Sequence, residues 1–172
     1  MSHQLSVPFN APEKAIIDSL DFARQGVCIE GEVAVSAMGR LADVVIERGD
    51  RLFCRISGER DDDGQSSLVL QIEGELELLC QRCLQPLRWP LQAVSRLLLV
   101  APGDAWPDED LVDDDADAIA AEKSLSVLAL MEEEVLLALP IAPRHTDCES
   151  PVASDGSSKL SPFAALAKLK KS

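Results

Sequence analysis

The sequence predicts an α+β fold: an antiparallel β-sheet core with a packed helix and short terminal helices. Three observations lead there. Residues 68–80 and 84–101 form two long runs in which apolar and polar residues alternate with period two, one on each side of a short turn. Asp61-Asp62-Asp63-Gly64 marks a hairpin turn just before them, because Asp-Gly tolerates the positive φ angles of a tight reversal. Residues 125–139 carry an apolar stripe at helical period, and such a stripe needs a facing layer.

Taken in order, Leu5 to Phe9 alternates as a short edge strand does, and Pro8 suits an edge. Asn10 is placed to cap a helix with Pro12 in its first turn, running to about Arg24 and ended by Gly26. Val27 to Val35 alternates again, Ser36 to Val44 reads as a short helix, and Arg51 to Glu59 is strand-like with Leu52, Cys54 and Ile56 on one face. The clearest strand has Leu68, Leu70, Ile72, Leu76, Leu78 and Cys80 on one face and glutamates on the other. Its partner presents Leu87, Trp89, Leu91, Ala93, Leu97 and Leu99 between arginines, so Trp89 reads as core. Residues 102–123 form an acidic loop. Ser124 is the expected cap of the helix from Leu125 to about Leu139, whose Glu132-Glu133-Glu134 reads as a solvated face. Residues 1–148 are thus expected to be a single domain. Residues 149–172 read as a linker and a short basic amphipathic helix, with Ser161 and Pro162 at its start and lysines at its end.

Composition narrows the function. The 172-residue chain has a net charge of −14, distributed as −5 over residues 1–100, −13 over 101–158 and +4 over 159–172. An acidic body repels phosphate backbones, so any RNA contact is expected to be indirect or confined to a local basic patch. Basic proteins are the natural partners of the acidic stretch. Five cysteines in no regular framework point to reduced thiols and a cytoplasmic protein. No secretory signal and no bilayer-length apolar run is read, so a membrane role is not expected.

Two clusters carry the chemistry. Cys80-Gln81-Arg82-Cys83 and His145-Thr146-Asp147-Cys148 supply three thiols and one imidazole in two clipped pairs. A two-residue gap lets one turn aim both side chains at one ion, and the set Cys80, Cys83, His145 and Cys148 is the ligand inventory of a zinc site. Pro140 and Pro143 stiffen the loop that carries the second pair. The plainer reading, reduced and buried thiols, stands beside it. Arg82, Arg88 and Arg96, with Trp89 among them, are the candidate contacts for a partner or for RNA on the hairpin. No nucleophile–base constellation and no phosphate cradle is present in the sequence pattern, so an enzyme and a small-molecule substrate are not expected.

These clusters, in this order, resemble the YceD family, the large ribosomal RNA subunit accumulation proteins. The resemblance rests on Cys80-Gln81-Arg82-Cys83-Leu84, on the run from Glu132 to His145 (Glu-Glu-Glu-Val-Leu-Leu-Ala-Leu-Pro-Ile-Ala-Pro-Arg-His), on Cys148, and on Pro162 to Lys170. It implies a ribosome biogenesis factor that supports synthesis, processing or stability of large-subunit ribosomal RNA, with no catalytic residues to carry over. It implies as partners the ribosomal proteins or pre-ribosomal particles of the large subunit. Many relatives have Cys at the position of His145, which would make a four-thiol set. The alternative is a direct RNA-binding protein that uses the 80–96 hairpin.

Overall fold

The computed structural model describes residues 15–46, 49–107 and 116–149, together with the backbone of residues 6–8. The expected caps at Asn10 and Pro12 and the expected C-terminal helix lie outside these residues. Among the described residues the strands are β1 (Ser6–Pro8), β2 (Ile16–Ile17), β3 (Cys28–Ala34), β4 (Arg51–Arg60), β5 (Ser66–Leu79), β6 (Pro86–Val100), β7 (Ala116–Ala120) and β8 (Leu125–Ser126). Its helices are α1 (Ser19–Gln25) and α2 (Val127–Ala138).

Six strands make one sheet in the order β1-β3-β4-β5-β6-β7. The four central strands are antiparallel neighbours, whereas β1 and β7 pair in parallel with β3 and β6 at the two edges. A separate two-stranded piece joins β2 to β8. The fold is therefore α+β, as the alternation predicted.

One face of the sheet holds the core. Leu52 and Ile56 from β4, Leu68, Leu70, Ile72, Leu76 and Leu78 from β5, and Leu91, Leu97 and Leu99 from β6 are buried there. Phe22 and Ala23 of α1 and Val127, Leu130, Met131 and Val135 of α2 pack onto them, with Trp89 partly buried at the margin. The opposite face is wet and charged. Arg51 pairs with Glu32, Arg55 with Glu30 and Arg88 with Glu75 across neighbouring strands, and Arg96 of β6 reaches over β5 to Glu59 of β4. Such half-solvated antiparallel sheets show the alternation that made β5 and β6 legible. Among the described residues, no helix is long and apolar enough to cross a membrane.

Several boundaries differ from the sequence expectation. Helix α1 starts at Ser19, not near Asn10, because Asp18 caps it: the Asp21 N–H donates to the Asp18 carboxylate at 3.1 Å. Gly26 ends it as expected, with φ 61°. Ser126 rather than Ser124 caps α2, accepting from the Ala129 N–H, because Leu125 and Ser126 are held as β8 against Ile17 and Ile16. The stretch 35–43 is two short 3₁₀ turns, not one helix. The acidic loop contains a strand, β7, held against the edge of β6. The glutamates of α2 are not a solvated face either. Glu133 is exposed, but Glu132 and Glu134 are buried. Glu132 accepts from the Arg40 N–H and Glu134 from the Ser95 hydroxyl, so each buried carboxylate has a hydrogen-bond partner.

Candidate metal centre

The long β5–β6 hairpin ends in a tight turn that carries the first pair of cysteines. Cys80 follows the last residue of β5, and the turn is closed by the Cys80 N–H on the Gln85 carbonyl and the Leu84 N–H on the Cys80 carbonyl, both at 3.0 Å. Leu84 takes φ 59°, the one positive φ outside glycine among the described residues. A leucine there costs on the order of 1–2 kcal/mol, so the turn is over-determined by its surroundings. The second pair lies on the loop that follows α2. That loop is tied to the hairpin by the Gln81 N–H on the Pro143 carbonyl at 2.8 Å and by the Arg82 guanidinium on the Cys148 carbonyl at 2.9 Å.

These ties bring together residues more than sixty positions apart. One ligand atom from each of Cys80, Cys83, His145 and Cys148 lies within 4.8 Å of all the others. The Cys80 and Cys148 sulfurs are 3.8 Å apart, and the Cys83 sulfur is 3.3 Å from His145 Nδ1. Four donors around zinc with Zn–S bonds of about 2.3 Å would set sulfurs about 3.8 Å apart along a tetrahedral edge. The spacing of the four side chains therefore fits a zinc ion.

The surroundings favour the same chemistry. His145 Nε2 is 3.1 Å from the Pro86 carbonyl, which accepts only a protonated nitrogen. The proton is thereby assigned to Nε2, and Nδ1 is left with its lone pair aimed at the thiols. A second hydrogen bond that fixes the free ring nitrogen is the usual support of a metal-bound histidine. The His145 N–H donates to the Cys80 sulfur at 3.4 Å. Burial pushes the Cys80 thiol up, but the N–H groups of Cys83, His145 and Arg82 outweigh it and hold the thiol down at about 5. The neighbouring Cys83 moves the other way, raised by burial and by the two thiols beside it. A cluster that already stabilises one thiolate, that of Cys80, is prepared for a cation. Cys80 is fully buried, while Cys83, His145 and Cys148 are half-buried, so the centre sits just under the surface.

Two of the three candidate arginines fall elsewhere. Arg82 lies at this centre but spends its guanidinium on the Cys148 carbonyl. Arg88 and Arg96 are on the wet face of β6, each facing a glutamate. The structure does not gather the three into one patch. Two supporting groups escaped sequence reasoning, the Pro86 carbonyl and the Arg82 guanidinium. A backbone acceptor has no sequence signature, and the bond from Arg82 to a backbone carbonyl has none either.

Residues 68–170 match the family described as Large ribosomal RNA subunit accumulation protein YceD. The chain is 24% identical over 166 residues to the protein of that description from Haemophilus influenzae, covering 90% of this chain and 94% of that one. No solved structure matches.

Proposed function

This chain belongs to the YceD family of large ribosomal RNA subunit accumulation proteins, and on that premise we propose that it supports large-subunit ribosomal RNA as a cytoplasmic, non-enzymatic factor working through basic protein partners. The observation that carries this reading is the charge. A net charge of −14 favours basic proteins, such as those of the large ribosomal subunit, over bare RNA. The placement of the arginines supports it. Arg88 and Arg96 face Glu75 and Glu59, and Arg82 is bound to the Cys148 carbonyl, so phosphate would have to compete for each of them. The four-residue centre is then a structural zinc site, and zinc would be held by Cys80, Cys83, His145 and Cys148. Bound there, it would fix the post-α2 loop to the hairpin tip and shape that end of the sheet.

Affinity capture from cells in low salt, with and without RNase, tests the partner. Ribosomal proteins that survive RNase treatment support the proposal. Partners that all vanish with the RNA would instead favour direct binding by the 80–96 hairpin. Elemental analysis of the captured protein should find about one zinc per chain.

A further inference from the structure

We propose that the four-residue centre is also a modification site for hydroperoxides, at which oxidation joins Cys80 to Cys148 as a disulfide and expels the metal. The inference rests on the zinc reading above and adds to it a chemistry toward oxidants.

The geometry divides the labour between the two thiols. Cys148 is half-buried and on a loop, within reach of a small solute. Cys80 is fully buried at the end of β5 and closed off from solvent by the turn. The two sulfurs are already 3.8 Å apart. A disulfide needs about 2.05 Å between them, so they must approach by roughly 1.8 Å. The movement falls on the Cys148 side. Cys80 is fixed by backbone hydrogen bonds through both its N–H and its carbonyl, whereas beyond Pro143 the loop is held to the hairpin by side-chain and sulfur contacts. The two cysteines outside the centre offer no competing pair. Cys28 pairs in register with Ser57 and Cys54 with Gly31, which sets the two thiols on opposite faces of the sheet.

The chemistry balances without a further reagent. The Cys148 thiolate attacks one peroxide oxygen, the O–O bond breaks, and the departing oxygen leaves with a proton as alcohol or water. Cys148 is then a sulfenic acid. The Cys80 thiolate attacks that sulfur, the S–O bond breaks, and the hydroxide leaves with a second proton as water. Two electrons pass from the two sulfurs to the peroxide. The metal keeps only Cys83 and His145 of its four ligands and is lost, while the new bond still pins the loop to the hairpin. Oxidation thus exchanges a metal tie for a covalent one at the same place in the fold.

The test uses the full chain purified under reducing conditions, with its zinc measured first. After the reductant is removed, hydrogen peroxide is added. Metal release is followed with a colorimetric chelator, and unreduced peptides are mapped by mass spectrometry. The expected result is loss of zinc in step with a Cys80–Cys148 crosslink, both reversed by dithiothreitol and added zinc. In Cys80→Ser, a sulfenic-acid trap should label Cys148 instead. Should that variant fail to fold, the peptide map of the unsubstituted chain decides alone. Zinc retained in excess peroxide, or a Cys80–Cys83 crosslink, overturns the inference and leaves the zinc reading intact. A chain that carries no zinc yet forms the Cys80–Cys148 bond supports the disulfide and overturns the zinc reading.

Discussion

Replacing Gly58 with alanine should separate helix α1 from the sheet. Gly58 lies in β4 directly beneath α1, and its N–H donates to the Val27 carbonyl at 2.8 Å. A Cβ added there would stand 2.4 Å from the Phe22 carbonyl oxygen, 2.6 Å from Ala23 Cα and 2.8 Å from Ala23 N. All three are backbone atoms, so no side chain can rotate aside. Ordinary contact lies near about 3.5 Å, so the helix must retreat by roughly 1 Å. That retreat loosens Phe22 and Ala23, both buried against the sheet, and strains the hydrogen bonds between Ser19 and Glu122. Overpacking of a well-filled core costs about 1–3 kcal/mol, and a clash with backbone belongs at the upper end, so about 3 kcal/mol is expected. Two further glycines serve as controls. Gly39 has open space at the Cβ position, so Gly39→Ala should change stability by no more than about 0.5 kcal/mol. Gly26 also has open space but sits at φ 61°, so Gly26→Ala should cost about 1–2 kcal/mol through the left-handed backbone alone. Urea unfolding with a common m-value would rank the three. Gly58→Ala no more destabilising than Gly26→Ala would refute the close approach of α1 to β4.

Three further outcomes follow from buried polar groups. Glu132→Ala removes the hydrogen bond from the Arg40 N–H to a charged acceptor and should cost about 2 kcal/mol in urea unfolding, whereas Glu132→Gln keeps an acceptor and should cost less. Burial pushes the Cys54 thiol up to about 12 from 9.0. Because the folded value is the raised one, its stabilising share is whole below pH 9 and fades towards 12, so alkaline titration should unfold the chain while thiol reagents at neutral pH spare Cys54. Cys80 has the opposite sign. Held near 5 in the folded chain, it contributes stability above the ordinary thiol value that is lost as pH falls through 5. Metal-free protein followed by thiolate absorbance should show one thiol of the coupled cluster titrating far below the usual range and Cys83 above it.

The central strands were legible in sequence because one face of the sheet is dry and the other wet, which writes the pleat into β5 and β6. The candidate centre was legible for a different reason: Cys, Cys, His and Cys at clipped spacing advertise convergence wherever turns carry them. What stayed hidden depends on distant partners. Strand β7 is an alanine-rich pentapeptide in an acidic run, and it is a strand only because the edge of β6 offers it hydrogen bonds. Strands β2 and β8 have two residues each, too few to show a period. Asp18 and Ser126 outcompeted the expected caps because pairing between those two short strands sets where each helix can begin. The burial of Glu132 and Glu134 depends on Arg40 and Ser95, which no helical periodicity reveals.

The most direct measurement is the ratio of large-subunit to small-subunit ribosomal RNA in cells that lack this protein and are complemented with variants. The account predicts that the ratio falls on deletion, returns with the unsubstituted chain, and stays low with Cys83→Ser/Cys148→Ser expressed at the same level, because that variant breaks both halves of the centre. An unchanged ratio on deletion would contradict the proposed function. A ratio fully restored by the double variant would contradict the part given to the metal centre.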